Sequence, residues 1–110
     1  MKVEMDPFNV GKKGKLAVVI PVYNHGKTVA AVVKEALQLN LPVIVVDDGS
    51  TDDSWRIITE LSQAASTVAA SENRVHISGI RLRRNFGKAA ALTAGMKIAT
   101  GELILMLDAD

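Results

Sequence analysis

The stretch Gly101-Glu102-Leu103-Ile104-Leu105-Met106-Leu107-Asp108-Ala109-Asp110 decides the fold. Leu103 to Leu107 is an unbroken apolar run that ends on two carboxylates spaced i, i+2. Such a run reads as a strand buried on both faces of a sheet, and its carboxyl end delivers both acids to one rim.

Upstream, the same kind of segment recurs. Leu16 to Val22 is apolar and β-branched, and it ends at Pro21-Val22-Tyr23-Asn24-His25-Gly26, where Pro21 limits ladder pairing. Val43 to Val46 is a second wholly apolar strand, bounded before by Asn40-Leu41-Pro42 and after by Asp47-Asp48-Gly49-Ser50-Thr51-Asp52-Asp53. Arg74 to Leu82, with Val75, Ile77, Ile80 and Leu82, alternates weakly and predicts a third strand.

Helical segments lie between these strands. Val29, Val32, Val33, Ala36 and Leu37 follow the i, i+3, i+4, i+7, i+8 spacing of one helical face and predict a helix over roughly residues 28 to 39. Ser50 or Thr51 can cap a second helix, with Asp52 and Asp53 in its first turn and Trp55, Ile58, Leu61 and Ala65 as its apolar stripe. The Ala/Ser-rich segment from Ala64 to Asn73 is expected to fray into a loop. A third helix over Ala89 to Thr100 places Ala89, Leu92, Met96 and Ala99 on one side, and Gly101 suits its C-terminal cap. Strands alternating with helices predict an α/β fold: a parallel, Rossmann-like sheet of four strands with helices on both faces.

Composition narrows the function less than the motifs do. The chain has 110 residues, 48% of them hydrophobic and 23% charged, a net charge of +1 and no cysteine. These values fit one globular domain, give no sign of a nucleic-acid partner, and leave no thiolate, disulfide or Cys-type zinc site. A cytoplasmic location is the default expectation. Met1 to Lys15 carries Lys2, Lys12, Lys13 and Lys15 without a continuous apolar stretch, unlike a secretory signal, and residues 1–14 read as a flexible arm. Leu16 to Ile20 is far below the roughly 20 apolar residues that span a bilayer.

In an open parallel sheet, ligands gather beyond the carboxyl ends of the strands, where the strand order reverses. Here that rim collects Asp47, Asp48, Asp108 and Asp110, together with Tyr23 and Asn24. Carboxylates so placed repel one another unless a cation or hydrogen-bond donors compensate. A hard divalent cation is the simplest compensation, and an all-oxygen donor set favours Mg²⁺ or Mn²⁺ bridging carboxylates and phosphates. Arg83, Arg84 and Lys88 form a basic loop ahead of the last strand, suited to those phosphates, and Gly87 opens a helix whose N–H groups add donors. Gly87-Lys88 is not a Walker motif, since Ala89 follows the lysine and Leu82 occupies the first glycine position; no Gly-x-Gly-x-x-Gly occurs either. His25 and His76 have no second ligand at metal spacing, and Trp55 belongs to a core stripe.

Four ordered motifs carry a resemblance: Val18-Val19-Ile20-Pro21-Val22-Tyr23-Asn24; Val45-Val46-Asp47-Asp48-Gly49-Ser50-Thr51-Asp52; Arg84-Asn85-Phe86-Gly87-Lys88 with Ala94-Gly95; and Ala99-Thr100-Gly101 with Asp108-Ala109-Asp110. From Leu16 to Asp110 the chain resembles the N-terminal, nucleotide-sugar-binding half of family 2 glycosyltransferases of the GT-A fold, so that residues 15–110 would form that half, cut at the Asp-x-Asp motif. The Asn-Phe-Gly-Lys loop is similar to that of polyprenyl-phosphate sugar transferases. The resemblance implies a UDP- or GDP-sugar donor, a Mg²⁺ or Mn²⁺ ion, and a polyprenyl phosphate or glycan as acceptor in polysaccharide or cell-wall synthesis. It implies that Asp48 hydrogen-bonds the nucleobase beside a wall of Pro21, Val22 and Tyr23, with Asn24, Gly87 and Lys88 also lining the donor site. Asp108 would sit near the ribose or a metal-bound water, and Asp110 would ligate the metal. Hexosyl transfer by inverting displacement is the family's usual course. The acceptor's base is expected downstream of Asp110, which predicts that residues 1–110 alone do not turn over and that any membrane association comes from a C-terminal part. The last strand, if left as a sheet edge, can pair with a second copy of the chain.

Two other readings compete. Val45-Val46-Asp47-Asp48 with Leu105-Met106-Leu107-Asp108 resembles a signalling receiver domain phosphorylated at Asp108, although that leaves Tyr23-Asn24, the Asn-Phe-Gly-Lys loop and Asp110 unexplained. The other is a nucleotide-binding fragment without turnover.

Overall fold

The computed structural model describes residues 16–72, 77–98 and 103–106, with side-chain surroundings given for 16–64 and 77–98. Asp108, Asp110, His76, Gly101 and the N-terminal arm lie outside the described residues. The elements run β1 (Leu16–Val22), α1 (Val29–Leu37), β2 (Val43–Asp47), α2 (Ser54–Glu72), β3 (Ile77–Arg81), α3 (Lys88–Ile98) and β4 (Leu103–Met106). The strands form one sheet in the order β3-β2-β1-β4, and every pairing is parallel.

Every residue of β1 and β2 is buried, because alternate side chains enter two different cores. Val18, Ile20, Val22, Val43 and Val45 pack with Val29, Val33 and Ala36 of α1 and Ile58 of α2. Ala17, Val19, Ile44 and Val46 turn to the opposite face, where Ala91 of α3 meets them. Each such valine or isoleucine contributes about 1.5–3 kcal/mol by leaving water, so the two central strands anchor the fold. The expected α/β class, with helices on both faces, is therefore what the chain adopts.

Two helical expectations need correction. The segment from Ala64 does not fray: α2 continues to Glu72. Alanine is the strongest helix former, and a helix already nucleated by the packed turns around Ile58 propagates through such residues at little cost. The expected Ala89-Leu92-Met96 stripe of α3 is not its buried face. Ala91 and Gly95 are buried, whereas Met96 is 54% exposed. A Cβ added to Gly95 would stand 2.5 Å from Val19 Cγ1. The helix lies so close to the sheet that the smallest residues, not the largest, mark its contact face.

Register aligns the rim. Val22 pairs with Asp47 and Asp47 with Arg81, so three strands reach their carboxyl ends side by side. β4 pairs with the other side of β1, from Leu16↔Leu103 to Val19↔Met106. Successive connections place β2 and β3 on one side of β1 and β4 on the other, so the strand order reverses between β1 and β4. Among the described residues, no helix is long and apolar enough to cross a membrane.

Candidate functional site

The loops after β1 and β2 form one hydrogen-bonded body. Asn24 adopts a left-handed backbone, φ 55°, a conformation that Asn tolerates better than most residues. Its Oδ1 accepts the N–H of Thr51 at 2.8 Å, the N–H of Asp52 at 3.2 Å and the Thr51 hydroxyl at 3.4 Å. Its own N–H donates to Ser50 Oγ at 2.8 Å. The Gly26 N–H donates to Asp52 Oδ2 at 3.0 Å, and Asp52 Oδ1 accepts the Ser54 N–H that opens α2. Ser50 and Thr51 are thus tied to Asn24, and Asp52 caps the helix in their place. Burial tends to raise the Asp52 pKa, but hydrogen bonds from Ser54 and Gly26 outweigh it and hold the carboxyl below its ordinary value. His25 contributes its backbone carbonyl, which accepts the N–H groups of Thr28 and Val29 at the start of α1.

Asp47, fully buried, accepts the Ser50 N–H at 3.0 Å through Oδ1. Its Oδ2 has no hydrogen-bond partner, but Arg81 Nε lies 3.9 Å away. The Arg81 guanidinium also sits 5.6 Å above the Trp55 ring, and Trp55 packs against the core, as its helical stripe predicts.

Asp48 is 3% exposed. Its Oδ1 accepts the Phe86 N–H at 2.8 Å, and its Oδ2 accepts the Gly87 N–H at 2.9 Å and Asn85 Nδ2 at 3.1 Å. Its backbone N–H donates to the Val22 carbonyl at 2.8 Å. The sequence suggested a cation as the simplest answer to crowded acids on this rim. For Asp47 and Asp48 the compensation is instead supplied by protein N–H groups and Arg81. Among the described residues there is no cluster of three His, Cys, Asp or Glu that could hold a metal.

The predicted site residues divide accordingly. Pro21 is buried in β1, and the Val22 side chain belongs to the core, so neither offers a side-chain wall to solvent. Tyr23 is 44% exposed at the rim. Asn24 is braced against the β2 loop, and the Gly87 N–H expected to face a phosphate is engaged by Asp48. Lys88 opens α3 with an exposed side chain. Arg84 stacks 4.2 Å over Phe86, a ring that is itself exposed. Beyond β2 and β3, Gly49, Ser50, Thr51, Arg81, Leu82 and Arg83 line an open groove of about 540 Å³. The parts that local spacing missed are Ser50 and Asn85. Their only sequence signal was their place inside the Asp-Gly-Ser-Thr turn and the Asn-Phe-Gly-Lys loop.

A parallel α/β sheet whose strand order reverses between β1 and β4 places a crevice for ligands beyond the carboxyl ends of those strands. The family model of glycosyl transferase family 2 matches residues 17–110. The chain belongs to that family. Its members act on nucleotide sugars and acceptors and typically use divalent metals.

Proposed function

We propose that this chain binds a nucleoside-diphosphate sugar, UDP- or GDP-linked, over the β1/β4 crevice and serves hexosyl transfer to an acceptor, a polyprenyl phosphate or a glycan. The observation that carries the reading is the order reversal between β1 and β4 of a family 2 domain, beside which Asn24 braces the loop after β1. Tyr23 stands exposed beside it, while Arg84 lies in the loop after β3 and Lys88 opens α3. A diphosphate brings concentrated negative charge, which these cations attract over distances comparable to the Debye length of about 8–10 Å.

The family's divalent ion suits the chemistry of Asp108 and Asp110, whose carboxylate oxygens are hard donors. These two residues would hold Mg²⁺ or Mn²⁺. When bound, such an ion neutralises the charge that develops on a departing diphosphate. Transfer proceeds with inversion, through direct attack by the acceptor, and takes place at the cytoplasmic side, where nucleotide sugars are the donor class. The receiver alternative is disfavoured by geometry: its acidic pair must be open to a cation, whereas Asp47 is fully buried and Asp48 is buried and accepts from residues 85–87.

Calorimetry of the chain with Mn²⁺ tests the reading. UDP or GDP is expected to bind, and Asp110→Ala to weaken it about tenfold or more by removing a charged ligand. No binding of any nucleoside diphosphate, with Asp108 instead labelled by acetyl phosphate, would favour the receiver.

A further inference from the structure

Of the three residues expected to wall the nucleobase, Tyr23 alone turns its side chain to solvent: Pro21 is buried, the Val22 side chain lies in the core, and the tyrosine stands exposed at the rim. An aromatic ring so placed offers a π-face on which any base can stack. A ring carried on a loose loop has to be ordered at the moment of binding, and that ordering weakens the ligand. What holds Tyr23 in place therefore bears on affinity.

The strand ladder holds it on one side. Val22 is in register with Asp47, and its carbonyl accepts the Asp48 N–H at 2.8 Å. Asn24 holds it on the other, its N–H donating to Ser50 Oγ and its Oδ1 accepting the Thr51 and Asp52 N–H groups and the Thr51 hydroxyl. All four of those bonds reach the loop after β2. A second contact presses the same two loops together: the Gly26 N–H donates to Asp52 Oδ2, and a Cβ at Gly26 would collide with the Asp53 carboxylate. The His25 carbonyl then accepts the Thr28 and Val29 N–H groups, and the chain passes into α1. Tyr23 thus stands between two fixed neighbours, with its ring at the rim.

We infer that Asn24 is a positioning residue of the donor site: by tying the loop after β1 to the loop after β2, it holds Tyr23 as a preformed stacking platform for the nucleobase. The platform role rests on the proposed donor site, whereas the tie rests on contacts within the chain. A platform meets the flat face of a base, so Asn24 supports affinity without choosing between uracil and guanine. It acts on the nucleotide only through Tyr23.

The experiment compares the parent chain with Asn24→Gly, Asn24→Asp, Tyr23→Ala and the combination Tyr23→Ala with Asn24→Gly. Glycine accepts the left-handed backbone at this position, so Asn24→Gly removes the side-chain bonds without straining the turn. Asn24→Asp keeps an oxygen facing the same three donors. By NMR without nucleotide, the Tyr23 amide is expected to be as ordered as rigid backbone in the parent and in Asn24→Asp, with an order parameter of about 0.85, and to fall well below that in Asn24→Gly. By calorimetry with Mn²⁺, Tyr23→Ala is expected to weaken UDP and GDP about tenfold, the scale of one stacked base. Asn24→Gly is expected to weaken both about threefold, the scale of ordering one side chain on binding, with the UDP:GDP ratio unchanged. The combined variant should bind no more weakly than Tyr23→Ala alone. The inference is overturned if Asn24→Gly costs the same factor with and without Tyr23, if Tyr23→Ala leaves binding unaltered, or if order at Tyr23 survives in Asn24→Gly. Should the parent chain bind neither nucleotide, the donor-site reading fails and the platform role falls with it, while the order at Tyr23 still decides whether Asn24 holds the loop.

Discussion

Asn24 shows how much one side chain can organise at the residue scale. A single amide oxygen gathers two N–H groups and a hydroxyl from the next loop, while a left-handed backbone aims it there. Asn24→Ala loses those bonds and also strains a β-carbon at φ 55°; Asn24→Gly loses the bonds alone. Urea unfolding is expected to show both variants less stable, alanine by about 2 kcal/mol and glycine by about 1 kcal/mol. Equal losses would mean that the backbone is not held in the left-handed region. Asp52 makes a pH-dependent contribution. Because its folded pKa is depressed below the ordinary 3.8, its stabilising effect is present above that value and disappears as pH falls through the folded one. The stability gap between the protein and Asp52→Asn should therefore be full near neutrality and close in acid, and it is small because the side chain is exposed. The importance of Asn24, Asp48 and Asp52 was legible from their dense turn chemistry. Their partners were not: Asp48 meets residues 38 and 39 positions away, and no local spacing encodes such a contact.

Legibility at the scale of elements followed the chemistry of burial. β1 and β2 were plain because strands covered on both faces must be apolar at every position. β3 alternated weakly because, at the sheet edge, Ser78, Gly79 and Arg81 stay exposed. The contact face of α3 was misread because its packing relies on absent side chains, which carry no apolar signal. Gly95→Ala puts a methyl group against Val19 and Val46, and is expected to destabilise by about 1–3 kcal/mol despite alanine's better helix propensity. Met96→Lys, on the exposed side of the same helix, should stay within about 0.5 kcal/mol of the parent. Thermal denaturation of this pair reads the orientation of α3 directly: a costly Met96→Lys with a harmless Gly95→Ala would reverse the assigned face.

Across the whole molecule, the rim is braced unevenly. The loops after β1, β2 and β3 are linked by Asn24, Asp48 and the Leu82 N–H that donates to the Asp47 carbonyl. β4 joins this body through its ladder with β1, and is the sheet's edge among the described strands. Amides of β1 and β2 should therefore exchange slowest and those of β4 faster, since a strand paired on one side opens without disrupting the core. This difference gives a way to locate the nucleotide. A ligand spanning the β1/β4 crevice ties the edge strand to the braced body, whereas one seated in the groove lined by Arg81 and Arg83 stabilises β3. Exchange measured by NMR with Mg²⁺ and saturating UDP or GDP is expected to slow at Leu103–Met106 more than at Ile77–Arg81. The opposite pattern would move the donor to the far side of β2, away from the order reversal, and with it the role proposed for Asp108 and Asp110.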